Sequence, residues 1–323
     1  MEKSLKPLDI KLISYLYHNN RESLTKIAKE TKLSREQVDY KIKKYLEKGI
    51  IKKFATFFNY ESLGYNYLVI LFLKFSDKEK IKAFEKEFKQ SKHCISSGAV
   101  FNKYDLFLNL IFKDEKDFRD SLNFILGRDK GLILDYLILK PFFIEKYPLK
   151  FLKNKKEESI EITEKSKKIK LDQKELEILR ILEEDGRIKI IDIAKKINLS
   201  AELVLYKLKK LYQKKVILGS RILFDMKRLG YFFSIISLEF NNLSIENQAK
   251  IKNFARSSQF VNSLFLTMSK PNCFIQLFHK NEFELRSQID KLKELFGENE
   301  FSNLDVLLIE GEQEANTLPF LKK

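Results

Sequence analysis

A short segment near the N-terminus groups side chains that can hydrogen bond to nucleic acid. Val38, Ile42 and Tyr45 recur at the spacing of one helical face and are expected to pack inward. The opposite face then carries the polar and charged set Arg35, Gln37, Tyr40, Lys41 and Lys44. Arginine can donate to guanine O6 and N7, glutamine can pair with adenine N6 and N7, and lysines further along meet phosphates. The segment predicts a helix, N-capped by Ser34, that enters the major groove of double-stranded DNA.

A second segment repeats this pattern 166 residues later. Ser200 is the equivalent N-cap, and the equivalent face carries Ala201, Leu203, Tyr206, Lys207 and Lys210. The tyrosine and both lysines are retained, but alanine and leucine replace the arginine and the glutamine. We therefore expect the first helix to read sequence and the second mainly to anchor the protein on phosphates. The plainer alternative is that these lysines form an ordinary solvated helix face.

Both segments belong to a duplication that spans the chain. Residues 5–65 align with residues 171–231 without a gap, with 20 identities in 61 positions, among them Arg21 with Arg187. Further along, residues 134–139 resemble residues 304–309. The chain is therefore two copies of one unit.

Each copy shows the same order of predicted elements. Apolar residues at helical spacing predict three short helices followed by a strand, which is the order of a winged helix-turn-helix. The pattern after them predicts a βαββαβ module of the ferredoxin-like type. The expected fold class is α+β, a tandem repeat of a winged helix-turn-helix plus a ferredoxin-like domain. The expected domains are residues 1–62, 63–149, a charged and solvated linker at 150–170 with room for one short strand or helix, then 171–228 and 229–323.

Positive charge is concentrated in the predicted helix-turn-helix parts. The formal net charge is +16 over 323 residues. Residues 1–53 carry +7, residues 171–221 carry +4 and the connector carries +4, whereas residues 54–149 carry +2 and residues 222–323 carry −1. Charge confined in this way is the footprint expected for phosphate contacts.

Other function classes lack the residues that they need. No apolar run is long enough to span a membrane, and the N-terminus has no signal-peptide core, so we expect a cytoplasmic protein. Cys94 and Cys273 lie 179 residues apart, and His18, His93 and His279 are too scattered for a metal cage. We expect each histidine at the surface or at a strand end, and we expect no catalytic residue, metal or cofactor.

The helix-turn-helix segments resemble a known family. From Leu171 to Arg187 the second copy reads L-D-x(2)-E-x(2)-I-L-x(2)-L-x(4)-R, and from Ile193 it reads I-A-K-x(3)-L-S-x(3)-V-x(2)-K-L-K-K-L. This is similar to the N-terminal signature of the Lrp/AsnC transcription regulators. The resemblance implies a DNA-binding regulator that dimerises through paired sheets, often with an amino acid as effector. Of the family's effector-binding turn, only Tyr104 and Asp105 match here.

The tandem arrangement and two alternatives follow from this resemblance. Members of the family ordinarily carry one copy, so the chain is expected to form an intrachain pseudo-dimer, or to pair its ferredoxin-like sheets with another chain as a homo-oligomer. Siroheme decarboxylases share the two-module build and are recognised by an arginine-rich, histidine-containing segment. The equivalent residues 54–63 and 220–229 contain no histidine, and the first set contains no arginine. The other alternative is an architectural protein that binds DNA without sequence preference.

Overall fold

A computed structural model describes residues 7–127, 131–150, 152, 159–297, 300–313 and 316–321. Two similar units, which we call head 1 and head 2, each contain three helices and a strand. Head 1 contains α1 (Pro7–His18), α2 (Leu24–Thr31), α3 (Arg35–Glu47) and β1 (Ile51–Phe58). Head 2 contains α6 (Gln173–Glu184), α7 (Ile190–Ile197), α8 (Ala201–Gln213) and β8 (Ile217–Phe224). This is the predicted winged helix-turn-helix order in both copies.

A larger unit, which we call the body, is formed by the two βαββαβ modules and part of the connector. Its first module contains β2 (Tyr67–Phe75), α4 (Ile81–Lys89), β3 (Cys94–Phe101), β4 (Leu106–Phe112), α5 (Glu115–Gly127) and β5 (Ile133–Leu139). Two further strands follow, β6 (Pro141–Lys146) and, within the connector, β7 (Ile160–Glu161). The second module contains β9 (Phe232–Phe240), α9 (Ile245–Ser257), β10 (Val261–Thr267), β11 (Cys273–His279), α10 (Glu282–Phe296) and β12 (Phe301–Gln313).

The strands of the body form a single ten-stranded sheet. Its order is β5-β2-β4-β3-β12-β9-β11-β10-β6-β7. Each module completes the edge of the other, because β12 pairs with both β9 and β3, while β6 continues from β5 and pairs with β10. β5 and β6 are separated by Lys140 alone yet lie near opposite ends of this order, so the sheet must curve back on itself. Its inner faces meet where the rings of Phe72 and Phe274 stack at 6.2 Å.

Three apolar clusters hold these layers together. One runs continuously through both heads and the inner face of the sheet. The other two lie on the outer faces, under α4 and α5 in the first module and under α9 and α10 in the second. Burial of such apolar surface is the main favourable term in folding. Since the first cluster crosses from one head to the other, the two heads share one core rather than forming separate domains.

The described part of the connector does not extend into solvent as expected. Leu152 and Ile162 are buried in the cluster shared by the heads, and the backbone N–H of Ile169 donates to Ser62 O at 2.8 Å. The apolar residues of the connector are widely spaced among charged residues and follow neither a helical nor a strand period. Their burial could therefore not be predicted from periodicity. Among the described residues, no helix is long and apolar enough to cross a membrane.

Candidate nucleic-acid interface

The start of α3 is held by a reciprocal capping box. The backbone N–H of Gln37 donates to Ser34 Oγ at 3.1 Å, and the backbone N–H of Ser34 donates to Gln37 Oε1 at 2.9 Å. The first N–H groups of a helix have no partner within the helix, and this arrangement satisfies two donors. Ser34 is the predicted N-cap. The predicted contact of Gln37 with adenine did not include this capping role of its Oε1 atom. Pairing with adenine through both side-chain atoms would require Gln37 Oε1 to leave the Ser34 N–H.

The remaining predicted reading residues of α3 lie on its exposed face. Arg35 is exposed at the first position of the helix, and no described residue pairs with its guanidinium. The side chain of Tyr40, one turn further on, is 62% exposed. Lys44 Nζ lies 5.2 Å from the centroid of the Tyr40 ring and 3.3 Å from its hydroxyl. Arg35, Tyr40 and Lys44 thus present a cationic and aromatic surface to solvent.

Lys41 is not turned away from the protein as the helical pattern predicted. Its ammonium pairs with the Asp9 carboxylate of α1, and its side chain is only 24% exposed. The same carboxylate accepts a hydrogen bond of 2.6 Å from the Tyr45 hydroxyl, and burial together with this bond raises the pKa of Tyr45. The helical pattern of α3 alone does not reveal a carboxylate 32 residues earlier, which explains the error.

Head 2 repeats this internal pairing. Lys207 pairs with Asp172, the N-cap of α6, and its side chain is 14% exposed. Its charge holds the pKa of the Asp172 carboxyl below its usual range. Lys210 lies 3.5 Å from Glu175 Oε1. Three of the four lysines predicted to face phosphates, Lys41, Lys207 and Lys210, therefore have carboxylate partners. The equivalent residues Lys41 and Lys207 tie the third helix to the first in each head.

The exposed face of α8 is more apolar than that of α3. Ser200 caps the helix by accepting from the N–H of Leu203 at 3.2 Å, as predicted. Ala201, the counterpart of Arg35, packs against the shared core. Leu203 and Leu205 are 40% and 41% exposed. Tyr206 is 62% exposed, as is Tyr40. Apart from the N-cap, Tyr206 is thus the one exposed polar residue that remains of the side chains predicted to meet DNA at the start of this helix, where Arg35 and Gln37 have no polar counterpart.

The two heads are joined by their wing strands. β1 and β8 pair antiparallel from Ile51 opposite Phe224 to Phe58 opposite Ile217. Gly186 in head 2 also donates its N–H to Phe54 O at 2.7 Å, and a side chain at position 186 would place its Cβ 2.6 Å from that oxygen. Only glycine permits this close backbone approach.

A pair of equivalent arginines locks the same junction. Arg21 donates to the backbone oxygens of Gly186 and Ile188, the latter at 3.3 Å. Arg187 reciprocates by donating to the backbone oxygens of Asn20 and Glu22, the latter at 3.3 Å. The sequence signals this contact only through the alignment of Arg21 with Arg187 in the repeat. That alignment did not lead us to predict that the two arginines join the heads. Because the contacts are reciprocal, the heads are related by a pseudo-two-fold axis.

The turn that matched an effector site is engaged in internal bonds. Asp105 accepts from the N–H of Phe75 at 2.9 Å and from Lys74 Nζ at 3.1 Å. Tyr104 is buried against Phe72, with ring centroids 5.5 Å apart, and burial raises its pKa. These bonds fix the turn between β3 and β4 and leave little of either residue accessible to a ligand.

The histidines have structural partners where their side chains are described. His93 Nδ1 lies 3.1 Å from Ile111 O. His279 ends β11, as expected, and is buried there, with Nε2 2.8 Å from Ser234 Oγ and Nδ1 2.9 Å from Asn281 O. Burial lowers the pKa of both imidazoles. The side chain of His18 lies outside the described part of the structure.

Comparison with known proteins agrees with this geometry. The winged helix-turn-helix DNA-binding family matches twice, at residues 5–52 and 171–217. A relative from Pyrococcus abyssi, named as an uncharacterized HTH-type transcriptional regulator, is 31% identical over 125 residues, which cover 39% of this chain and 84% of the relative. The leucine-responsive regulatory protein of Rhizobium meliloti is 33% identical over 88 residues, covering 27% of this chain and 55% of that protein. The chain belongs to the Lrp/AsnC family, in a tandem form.

The whole length of this tandem Lrp/AsnC chain has a counterpart among solved structures. The siroheme decarboxylase NirDL, in complex with an iron-uroporphyrin III analogue, superposes with a TM-score of 0.64. The match covers 97% of this chain and 96% of that chain at 15% sequence identity. At this identity the likeness concerns the fold alone, and it shows that the duplicated arrangement of heads and sheet is an established architecture.

Proposed function

We propose that this chain is a transcription regulator that binds duplex DNA with α3 and α8 held as an intrachain pseudo-dimer. The observation that carries the proposal is the pairing of two helix-turn-helix heads through β1, β8 and the reciprocal arginines. A two-fold arrangement of recognition helices suits half-sites about one helical turn apart, roughly 34 Å. The charge excess of the helix-turn-helix segments supports phosphate contacts.

We further propose that the two half-sites are read unequally. Arg35 is exposed and free of described partners, whereas its counterpart Ala201 packs against the core. The operator should therefore contain one well-defined half-site, contacted by Arg35, and one degenerate half-site that is held mainly through Tyr206 and phosphate contacts. Selection from a random duplex library would show this asymmetry directly, and equal base preference in both half-sites would contradict it.

The decisive variant is Arg35→Ala, measured by fluorescence anisotropy on the selected duplex and on a scrambled one. Loss of a bidentate arginine–guanine contact weakens binding to the selected duplex by about 1–3 kcal/mol and leaves the scrambled duplex less affected. Arg286→Ala is the matched control, since Arg286 is an exposed arginine on α10 of the body. If the preferred motif is unchanged in Arg35→Ala, the assignment of Arg35 is wrong.

The same assay separates this proposal from an architectural role. A sequence-specific regulator should bind its operator at least about 1000-fold more tightly than random duplex at the same salt concentration. Similar affinity for both duplexes, with steep loss at higher salt, would identify an architectural protein instead.

The alternative of a siroheme decarboxylase is tested by activity. It is favoured by the whole-chain likeness in fold, but general acid–base chemistry needs a proton-transferring group within reach of the substrate. His93 and His279 are engaged in internal contacts, as described above. Incubation with siroheme should yield no decarboxylated product by mass spectrometry, and turnover would overturn the regulator proposal.

A further inference from the structure

A large cavity lies between the wing strands of the heads and the inner face of the sheet. Its volume is about 550 Å³, which is within the range of small-molecule sites. Ala55 and Phe57 of β1 and Ile222 and Phe224 of β8 line one side. Strands of both modules line the other, together with Leu149 and the connector residue Ile162. The cavity therefore contacts both heads and both halves of the body.

The polar groups of the cavity include equivalent pairs from the two modules. Asn109 Nδ2 donates to Ser96 Oγ at 2.8 Å, where β3 and β4 place these residues opposite each other. In the second module Ser263 Oγ donates to Gln276 Oε1 at the corresponding register. Ser96, Asn109 and Gln276 all line the cavity. An amide from each module therefore faces the same space.

The charged groups of the cavity are mostly cationic. Lys52, Arg221, Lys146 and Lys227 contribute to the lining, against the carboxylates of Asp225 and Glu310. Asp225 already pairs with Arg228 at 3.3 Å. Lys146 Nζ lies 5.9 Å from the centroid of the Phe57 ring, and no carboxylate in the described part of the chain pairs with it. A surplus of positive charge in an apolar lining favours an organic anion.

One further lining residue lacks a partner. Thr317 is 4% exposed, and its hydroxyl has no hydrogen-bond partner among the described residues. Buried polar groups are nearly always hydrogen bonded, because an unsatisfied group loses its hydration without compensation. A ligand oxygen in the cavity would supply the missing bond.

We propose that this cavity binds an organic anion with an apolar, preferably aromatic, body and one or two acidic groups. The acidic groups face the cationic side at Lys146 and Arg221, and the body packs among aromatic side chains such as Phe57 and Phe265. The regulatory consequence rests on the proposed function. Since Tyr17 of α1 and both wing strands contact the cavity, occupancy biases the arrangement of the heads and hence the DNA affinity.

Ligand binding is measured first, without DNA. The probe is 8-anilinonaphthalene-1-sulfonate, and the neutral comparison is N-phenyl-1-naphthylamine, which keeps the aromatic body and lacks the acid. The anion should bind with one-to-one stoichiometry and about tenfold more tightly than the neutral compound, the factor expected for one charge-assisted contact. Equal binding of the two compounds, or many weak equivalent sites, would overturn the proposal.

Two variants locate the site. Lys146→Met should remove most of the preference for the anion, whereas Lys195→Met, on an exposed face of α7, should preserve it. Ala55→Phe should occupy the cavity and reduce the affinity for both compounds, provided that its melting curve shows a folded protein. If Lys146→Met is folded and binds both compounds as the wild type does, the site assignment is wrong.

The link to DNA is then tested by repeating the anisotropy titration with saturating 8-anilinonaphthalene-1-sulfonate. The DNA affinity should change by at least about fivefold, and by reciprocity the DNA should change the affinity for the probe by the same factor. Unchanged DNA affinity would overturn the regulatory link. A chain that binds the probe as described but ignores every duplex would refute the proposed function and leave the ligand site standing.

Discussion

Removal of either reciprocal arginine should loosen the junction between the heads. In Arg21→Leu, the backbone oxygens of Gly186 and Ile188 lose their donor, and in Arg187→Leu those of Asn20 and Glu22 lose theirs. Hydrogen bonds to charged groups contribute about 1.5–3 kcal/mol each. One bond of each arginine is long at 3.3 Å, and the carbonyls can recover some hydration, so we expect a loss of about 2 kcal/mol per variant.

Hydrogen exchange is the appropriate assay, because the body is expected to remain folded and a global unfolding curve would mix several transitions. A loss of about 2 kcal/mol corresponds to roughly 30-fold faster exchange of amides in β1 and β8. Exchange in β2 and β9 should change little. The two variants should behave alike since their contacts are equivalent, and Arg286→Leu on α10 serves as the control.

The reasoning would be refuted if the amide exchange rates of β1 and β8 stayed within a factor of about two of the wild-type rates in both arginine variants. The heads would then be held by strand pairing and the shared core alone. Burial lowers the pKa of Arg187, with the neighbouring Arg21 acting in the same direction. Each single variant also relieves the repulsion between the two arginines, whereas the double variant relieves it only once, so the double variant should be more destabilised than the sum of the two single variants.

Three further predictions concern single contacts. Ser34→Ala should lower the free energy of local opening of α3 by about 1 kcal/mol, seen as roughly fivefold faster hydrogen exchange of its amides, because it removes the cap of α3. Lys44→Met should reduce the slope of log binding constant against log salt concentration by up to about 0.9. Lys41→Met should reduce this slope less, since Asp9 already neutralises the charge of Lys41. Equal slopes for the two variants would contradict this. The folded pKa of Asp172 is depressed, so its stabilising effect is present above its unfolded value of about 3.9 and is lost as the pH falls through the folded value. An NMR titration should place its midpoint below about 3.9, and Asp172→Asn, which keeps an N-cap, should flatten the acid dependence of head 2.

The order of elements could be predicted because it depends on local patterns that occur twice. The helix N-caps Ser34 and Ser200 lie directly before apolar residues at helical spacing, and both form the predicted bonds. The alternation of strands and helices in the body follows the same logic. The duplication strengthened the prediction of these elements, because each pattern occurs at two equivalent places in the chain.

Contacts between distant segments could not be predicted in the same way. The pairing of Lys41 with Asp9 depends on how α1 crosses α3, which no helical period encodes. The exchange of edge strands depends on the path of the chain after Lys140, and the local pattern of residues 141–146 does not show which strand they pair with. The cavity arises only when wing strands and sheet are brought together, so none of its residues stands out in the sequence.

The exchange of strands β6 and β12 bears on how the two heads could diverge. If the halves were separate proteins, random association would produce two kinds of self-paired assembly beside the mixed one. Fusion into one polypeptide, with each half completing the other's sheet, fixes the stoichiometry and yields the mixed assembly alone. Under that constraint, Ala201 of the second half is always joined to Arg35 of the first, so one half can specialise while the other keeps its recognition residue.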